Sequence, residues 1–246
     1  MTHPITRKVL KLAQKYTLRG DNTYCPLCEK SFVTFLPYGV KKRANAQCPN
    51  CQSLERHRLI WLYMKDKGIL SKPMRMLHVS PEIVFFDKFT RSTGVDYVPI
   101  DKFYPGYRYP KGTQNADITQ LPYPDQSFDF VLCIHVLEHV PDDALAMREL
   151  LRVLKPNGCA IIQVPLDKNL PVTQEDLSIT DPNVRQQLYG QPDHVRQYGL
   201  DYEQRLSNAG FTVEVDKFDE RFSSAEKFKL GLPVDEDIYF CTKKNN

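Results

Sequence analysis

The chain has 246 residues, 41% of them hydrophobic and 26% charged, a balance that suits one full α/β domain with a small module and excludes a fibrous or low-complexity protein. No apolar run reaches the roughly 18 residues a membrane span needs, and the opening MTHPITRKVLKLAQKY lacks the apolar centre of a signal peptide, so a cytoplasmic location is expected. Net charge is +3, yet residues 1–75 hold 15 Lys/Arg against 4 Asp/Glu while residues 76–246 hold 18 against 26. The basic amino-terminal third points to an anionic partner or to a merely solvated face.

Pro4–Leu18 has apolar residues on a helical stripe with Lys and Arg between them, and Gly20 is expected to end that helix. Cys25, Cys28, Cys48 and Cys51 then form the pattern C-x2-C-x19-C-x2-C. Each short pair makes a tight turn that aims two thiolates at one point. Two such turns together give a tetrahedral four-sulfur site suited to Zn2+, closed to substrate and therefore structural. A redox Cys-x-x-Cys and an iron–sulfur site are the alternatives, and the matched pairs with ribbon spacing favour zinc. Cys133, Cys159 and Cys241 lie in apolar runs and read as small core residues. Ser53–Lys67 reads as a linker helix capped by Ser53, with Arg56, His57 and Arg58 as a cationic cluster. The domain expectation is 1–70 for helix, zinc-ribbon and linker, and 71–246 for a catalytic domain.

Met74–Val79, Gly94–Asp101, Phe128–Val136 and Cys159–Val164 have strand character. Glu82–Thr90 and Asp142–Leu154 read as crossover helices, the second closed by Lys155-Pro156-Asn157-Gly158. Strand, helix and strand in about 40 residues make a crossover unit of a parallel sheet.

Phe128-Asp129-Phe130-Val131, Val136-Leu137-Glu138-His139 and Leu151-Arg152-Val153-Leu154-Lys155-Pro156-Asn157-Gly158 together resemble the class I S-adenosylmethionine-dependent methyltransferases of the type-11 subfamily, departing only in Asn157 for a glycine. The resemblance implies a seven-stranded, mostly parallel sheet flanked by helices, and S-adenosylmethionine as cofactor. Such proteins carry a glycine-rich loop after the first sheet strand. Here His78-Val79-Ser80-Pro81-Glu82 stands in its place with no glycine, in the form of a branch with "LHxxPE". By place, the resemblance assigns His78, Ser80 and Glu82 to the cofactor, with Ser80 where the first glycine stands. It assigns Asp101 to the ribose hydroxyls, since a carboxylate only accepts hydrogen bonds. Asp117 and Ile118 resemble the pair at the adenine edge, and His135 is a cofactor or substrate contact. The loop 102–112, rich in tyrosine, is expected to cover the adenosine.

The polar, proline-rich stretch 166–190 is expected to shape the substrate pocket, with a short helix from Asp181-Pro182 to Tyr189. Pro192–Gly199 brings Asp193, His194, Arg196 and Tyr198 to the expected rim. Asp193 can orient His194, His194 can take a proton, Arg196 can hold an anionic group and Tyr198 can stack, the plain alternative being a polar loop with a helix cap. Asp201–Ala209 reads as a helix, and Gly210–Phe218 and Asp237–Lys243 as a closing antiparallel hairpin.

These readings favour methyl transfer to an oxygen or nitrogen of a small-molecule or glycan-type acceptor. A second possibility is a ribosomal or transfer RNA methyltransferase gripping RNA through the basic ribbon. A third is a cofactor-free, zinc-dependent adaptor.

Overall fold

In a computed structural model the described residues are 16–39 and 42–243. The helix expected over Pro4–Leu18 lies outside them up to residue 15, and Gly20, expected to end it, sits in a strand. The first elements are β1 (Arg19–Cys25), β2 (Lys30–Phe32), β3 (Leu36–Tyr38), β4 (Arg43–Gln47) and α1 (Glu55–Asp66). Then come β5 (Met74–Val79), α2 (Ile83–Thr90), β6 (Val95–Asp101), β7 (Gln114–Asn115), β8 (Phe128–Ile134), α3 (Asp143–Val153) and β9 (Leu154–Gln163). β10 (Gln174–Glu175), α4 (Pro182–Tyr189), β11 (Arg196–Gln197), α5 (Tyr202–Asn208), β12 (Phe211–Asp216), α6 (Ser224–Leu230) and β13 (Ile238–Lys243) complete the order. No helix among the described residues is long and apolar enough to cross a membrane.

The described residues divide into two compact units. The first runs to Lys72 and takes in Lys217–Asp237; the second is Pro73–Asp216 with the residues from Ile238 onward. The expected division at 70/71 had set 217–237 with the second unit. Arg58 explains why that segment returns to the first. It belongs to the expected cationic cluster, and it is fully buried and donates to the carbonyls of Ala46, Ser53, Leu230 and Gly231. Asn45 likewise donates to the Phe228 carbonyl at 2.7 Å.

Within the first unit β1 pairs with β2 and β3 with β4, both antiparallel. Phe32 and Phe35 are buried between them, whereas Val33 is exposed. Ser53 does not cap α1: the N-cap is Leu54, whose N–H donates to His57 Nδ1 at 3.0 Å. Gly231 ends α6 in the left-handed region (φ +57), and a Cβ there would meet the Phe35 ring at 2.5 and 2.6 Å and Arg58 Nη2 at 2.7 Å. Gly231→Ala is therefore expected to cost about 2–4 kcal/mol from backbone strain and overpacking. Urea unfolding with an unchanged midpoint would contradict this.

The second unit holds the seven-stranded sheet, in the order β12-β13-β9-β8-β5-β6-β7. β5, β6, β7, β8 and β9 run parallel, while β13 is antiparallel to both β9 and β12. β5 and β8 are buried almost throughout, as strands covered on both faces must be. α3 buries Ala146, Met147, Leu150 and Val153, and Asp142 caps it by accepting from the Leu145 N–H at 2.8 Å. Lys155–Gly158 does not form a separate closing turn. β9 starts at Leu154, and its register passes from Phe128↔Leu154 to Phe130↔Cys159, so four residues bulge opposite one. Lys155 anchors the bulge on both oxygens of Asp129, at 2.8 and 2.9 Å.

β5 has β6 on one side and β8 on the other, so the strand order reverses there. A crevice opens at the carboxyl ends of such strands, the place where α/β sheets take ligands.

Candidate functional site

A hollow of about 720 Å³ lies at that place, walled by the ends of β5, β6 and β8 and by the loops after them. Ser80, Asp101, Asp117, Ile118 and His135 all line it. Ser80 and His135 both take left-handed backbone, φ 49 and φ 54. Ser80 therefore adopts a conformation that glycine reaches without steric cost. Its N–H donates to the Ile100 carbonyl at 2.8 Å and its hydroxyl to Asp101 Oδ2 at 3.2 Å. Replacing Ser80 by glycine relieves about 1 kcal/mol of strain and loses a bond worth about 1 kcal/mol. Thermal unfolding is thus expected near wild type for Ser80→Gly and clearly lower for Ser80→Val, whose branched side chain fits this backbone worst. Equal melting of the two variants would overturn the strain argument.

Burial pushes the Asp101 carboxyl above its ordinary value, against the opposing pull of the Ser80 hydroxyl. Asp117 goes the other way. Burial opposes its charge, but Lys102 and Thr119 outweigh burial and hold it down to about 2. Lys102 Nζ reaches Asp117 Oδ2 at 2.7 Å, and the Thr119 N–H and hydroxyl donate to Oδ1 at 2.9 and 2.7 Å. Over the same side stands the loop after β6, with Tyr104, Tyr107 and Tyr109 in the wall and Phe103 stacked on Tyr109 at 4.2 Å.

Five other expected site residues do not line the hollow. His78 is fully buried, packed between Phe85, Phe89 and Tyr97, with its ring nitrogens on Tyr97 OH at 2.8 Å and Glu82 Oε2 at 3.0 Å. Glu82 is thereby turned toward that histidine. Arg196 is 1% exposed and donates to the carbonyls of Leu137, Val140 and Pro141 and to Glu175. Tyr198 is fully buried, with its hydroxyl donating to Asp143 Oδ2 at 2.7 Å. Arg196 and Tyr198 hold the wall from behind and are not rim contacts. His194 is 3% exposed, and burial lowers its pKa. Its Nδ1 bonds to the Tyr189 carbonyl at 2.9 Å.

The residues missed were Thr119, His139 and Asp142; Asp193, expected at the rim, lines the hollow, and so does Lys102, the first residue of the loop expected to cover the adenosine. Asp193 does not orient His194. It pairs with His139, Oδ2 to Nδ1 at 3.3 Å. Of the stretch 166–199, Asp193 alone lines the hollow among the described residues. The remainder is latched elsewhere, by β10 on β11 and by the Leu166↔Tyr198 bridge. The His139-Val-Pro-Asp142 turn after the strand end was the readable signal for this wall.

In the first unit, Cys25, Cys28, Cys48 and Cys51 bring their Sγ atoms within 4.8 Å of one another. Cys25–Cys51 is 3.6 Å and Cys28–Cys48 is 3.7 Å. A tetrahedral Zn2+ with bonds of about 2.3 Å spaces its sulfurs by roughly 3.8 Å, so the donor set fits that ion. The two turns match: Glu29 N–H donates to the Cys25 carbonyl and Gln52 N–H to the Cys48 carbonyl, and both donors are left-handed.

Sheet order, switch point and hollow define a class I methyltransferase fold, and residues 82–162 match the methyltransferase domain family. The second unit has the class I methyltransferase fold. A probable S-adenosylmethionine-dependent methyltransferase of Mycolicibacterium smegmatis is 34% identical over 80 residues, 32% of this chain and 31% of that protein. Ajmaline N-methyltransferase of Rauvolfia serpentina is 32% identical over 30% of this chain and 25% of its own length. The demethylmenaquinone methyltransferase of Staphylococcus aureus is 38% identical over 25% of each chain. The matches thus span a quarter to a third of these relatives. Among solved structures, a candidate sarcosine dimethylglycine methyltransferase from Galdieria sulphuraria superposes with TM-score 0.51 at 15% identity, over 81% of this chain and 88% of that one. The [4+2]-cyclase SpnF superposes with TM-score 0.50 at 14% identity, over 87% and 89%. These two show the fold alone, and the cyclase illustrates that the fold does not dictate the reaction.

Proposed function

We propose that this protein moves the methyl group of S-adenosylmethionine to an oxygen or nitrogen of a small-molecule or glycan-type acceptor. The supporting observation is that Ser80, Asp101, Asp117, Ile118 and His135 share one hollow at the strand ends. Asp101, at the end of β6, suits the two ribose hydroxyls. Asp117 and Ile118 suit the adenine edge, and the tyrosines of the loop after β6 offer an apolar cover. The sulfonium brings its own electrophilic carbon, so the residues need only align donor with acceptor and exclude water. Two of the relatives bear the names of small molecules, ajmaline and demethylmenaquinone, which favours an acceptor of that size. His194, read from sequence as the proton acceptor, lies behind His139, which lines the hollow together with His135.

We also infer a structural Zn2+ on Cys25, Cys28, Cys48 and Cys51. The basic charge of residues 1–75 carries the second reading, an RNA acceptor. Calorimetry with S-adenosylmethionine and with its demethylated product tests the main reading. Saturable heat with both is expected, and no heat at millimolar concentrations would favour the adaptor. RNA binding that falls steeply with salt would move the acceptor to nucleic acid.

A further inference from the structure

Beside the hollow, Glu138, His139 and His194 bring one ligand atom each within 4.8 Å of one another. The three come together because the turn after β8 supplies Glu138 and His139, while Val195 N–H donates to the Glu138 carbonyl at 2.9 Å and draws His194 in. The two imidazoles meet edge to face, with centroids 4.7 Å apart.

Two of the three groups are deeply buried and incompletely satisfied. Glu138 is 1% and His194 3% exposed, and Glu138 Oε2 and His194 Nε2 have no hydrogen-bond partner among the described residues. A buried carboxylate oxygen facing no donor is costly, and such atoms ask for an explanation. The histidines add a second observation. Each has Nδ1 against an oxygen, His194 on the Tyr189 carbonyl at 2.9 Å and His139 on the Asp193 carbonyl and Oδ2, both at 3.3 Å. A carbonyl only accepts, so both rings carry the proton on Nδ1 and leave the Nε2 lone pair free. Metal-ligating histidines are held in this way, by a carboxylate or carbonyl on the other nitrogen.

We propose that Glu138, His139 and His194 form a second metal site, for a first-row divalent transition ion, in the wall of the hollow. Two imidazoles and one carboxylate suit Zn2+, Fe2+ or Co2+ and leave coordination positions open. His139 and Asp193 line the hollow, so the open side faces it. The ion would bind an acceptor bearing a hydroxyl and lower that hydroxyl's pKa, which selects oxygen acceptors. This role in selecting the acceptor rests on the methyl-transfer reading; the binding of the ion does not.

The test is a titration with Co2+ of protein loaded with a single equivalent of Zn2+, which the four thiolates take first, so that the cysteine site is filled and the second site is not. One further equivalent is expected, with weak visible ligand-field absorption and no thiolate charge-transfer band. Glu138→Gln and His139→Ala should each weaken it more than about 10-fold, and Asp193→Asn, which loosens the grip on His139, by about 10-fold. Circular dichroism checks that each variant is folded, and His139, whose side chain is 34% exposed, is the one whose loss the fold best tolerates. No further equivalent, a thiolate band, or Co2+ held equally by all folded variants would overturn the proposal. Co2+ bound with no heat from the demethylated cofactor would leave the metal site standing and remove the methyl-transfer reading; the reverse result would do the opposite.

Discussion

Asp101→Ala is expected to weaken binding of S-adenosylmethionine and of its demethylated product by about 100-fold while the protein stays folded. The carboxylate stands at the end of β6, half-buried, with Ser80 on one oxygen. Hydrogen bonds to a charged acceptor contribute about 1.5–3 kcal/mol each, and a ribose offers two hydroxyls. Every 1.4 kcal/mol is tenfold in affinity, which gives the figure. The fold should not suffer, because burial already disfavours the charge that the substitution removes. Asp101→Asn keeps one accepting oxygen and should fall between alanine and wild type. Calorimetry measures both, and wild-type affinity in Asp101→Ala would move the cofactor away from this strand end.

Arg196→Met is expected to cost about 3–5 kcal/mol of stability, the penalty for removing one partner from a buried charge network. Three carbonyls of the turn 137–141 would lose their donor, and Glu175 and Asp143 would keep their charges with Arg205 as the remaining cation. That turn carries His139, Val140 and Pro141 into the wall of the hollow, so cofactor affinity should fall together with stability. Arg196→Lys should rescue little, because a single ammonium cannot match a planar fork spread over three carbonyls. Denaturant unfolding decides between roles: wild-type stability with lost turnover would return Arg196 to the substrate.

The elements of the sheet were legible in the sequence because parallel strands buried on both faces read as short apolar runs. Met74–Val79 is the same in sequence and structure, and the helix expected over Asp142–Leu154 is α3 with Asp142 as its cap. Asp101 was legible as the last residue of such a run. The bulge at Lys155–Gly158 was not, because it depends on Asp129 of the neighbouring strand. Ser53 looked like a helix cap, yet its hydroxyl lies 3.3 Å from Cys25 Sγ and 3.2 Å from Cys51 Sγ, a contact that only the meeting of the two cysteine turns creates.

Local pattern thus determined the strands, the crossover helices, the two Cys-x-x-Cys turns and the carboxylate that ends β6, because each depends on residues close along the chain. Tertiary structure decided which polar side chains face the hollow. Arg196, His194 and His139 look alike in sequence, as ionisable residues near a strand end. Arg196 is withdrawn by carbonyls 55 to 59 positions away, His194 is held behind His139, and His139 is left at the surface of the hollow. A buried guanidinium settles wherever the packed backbone leaves several acceptors unpaired, and those acceptors exist as a group only once the chain has folded.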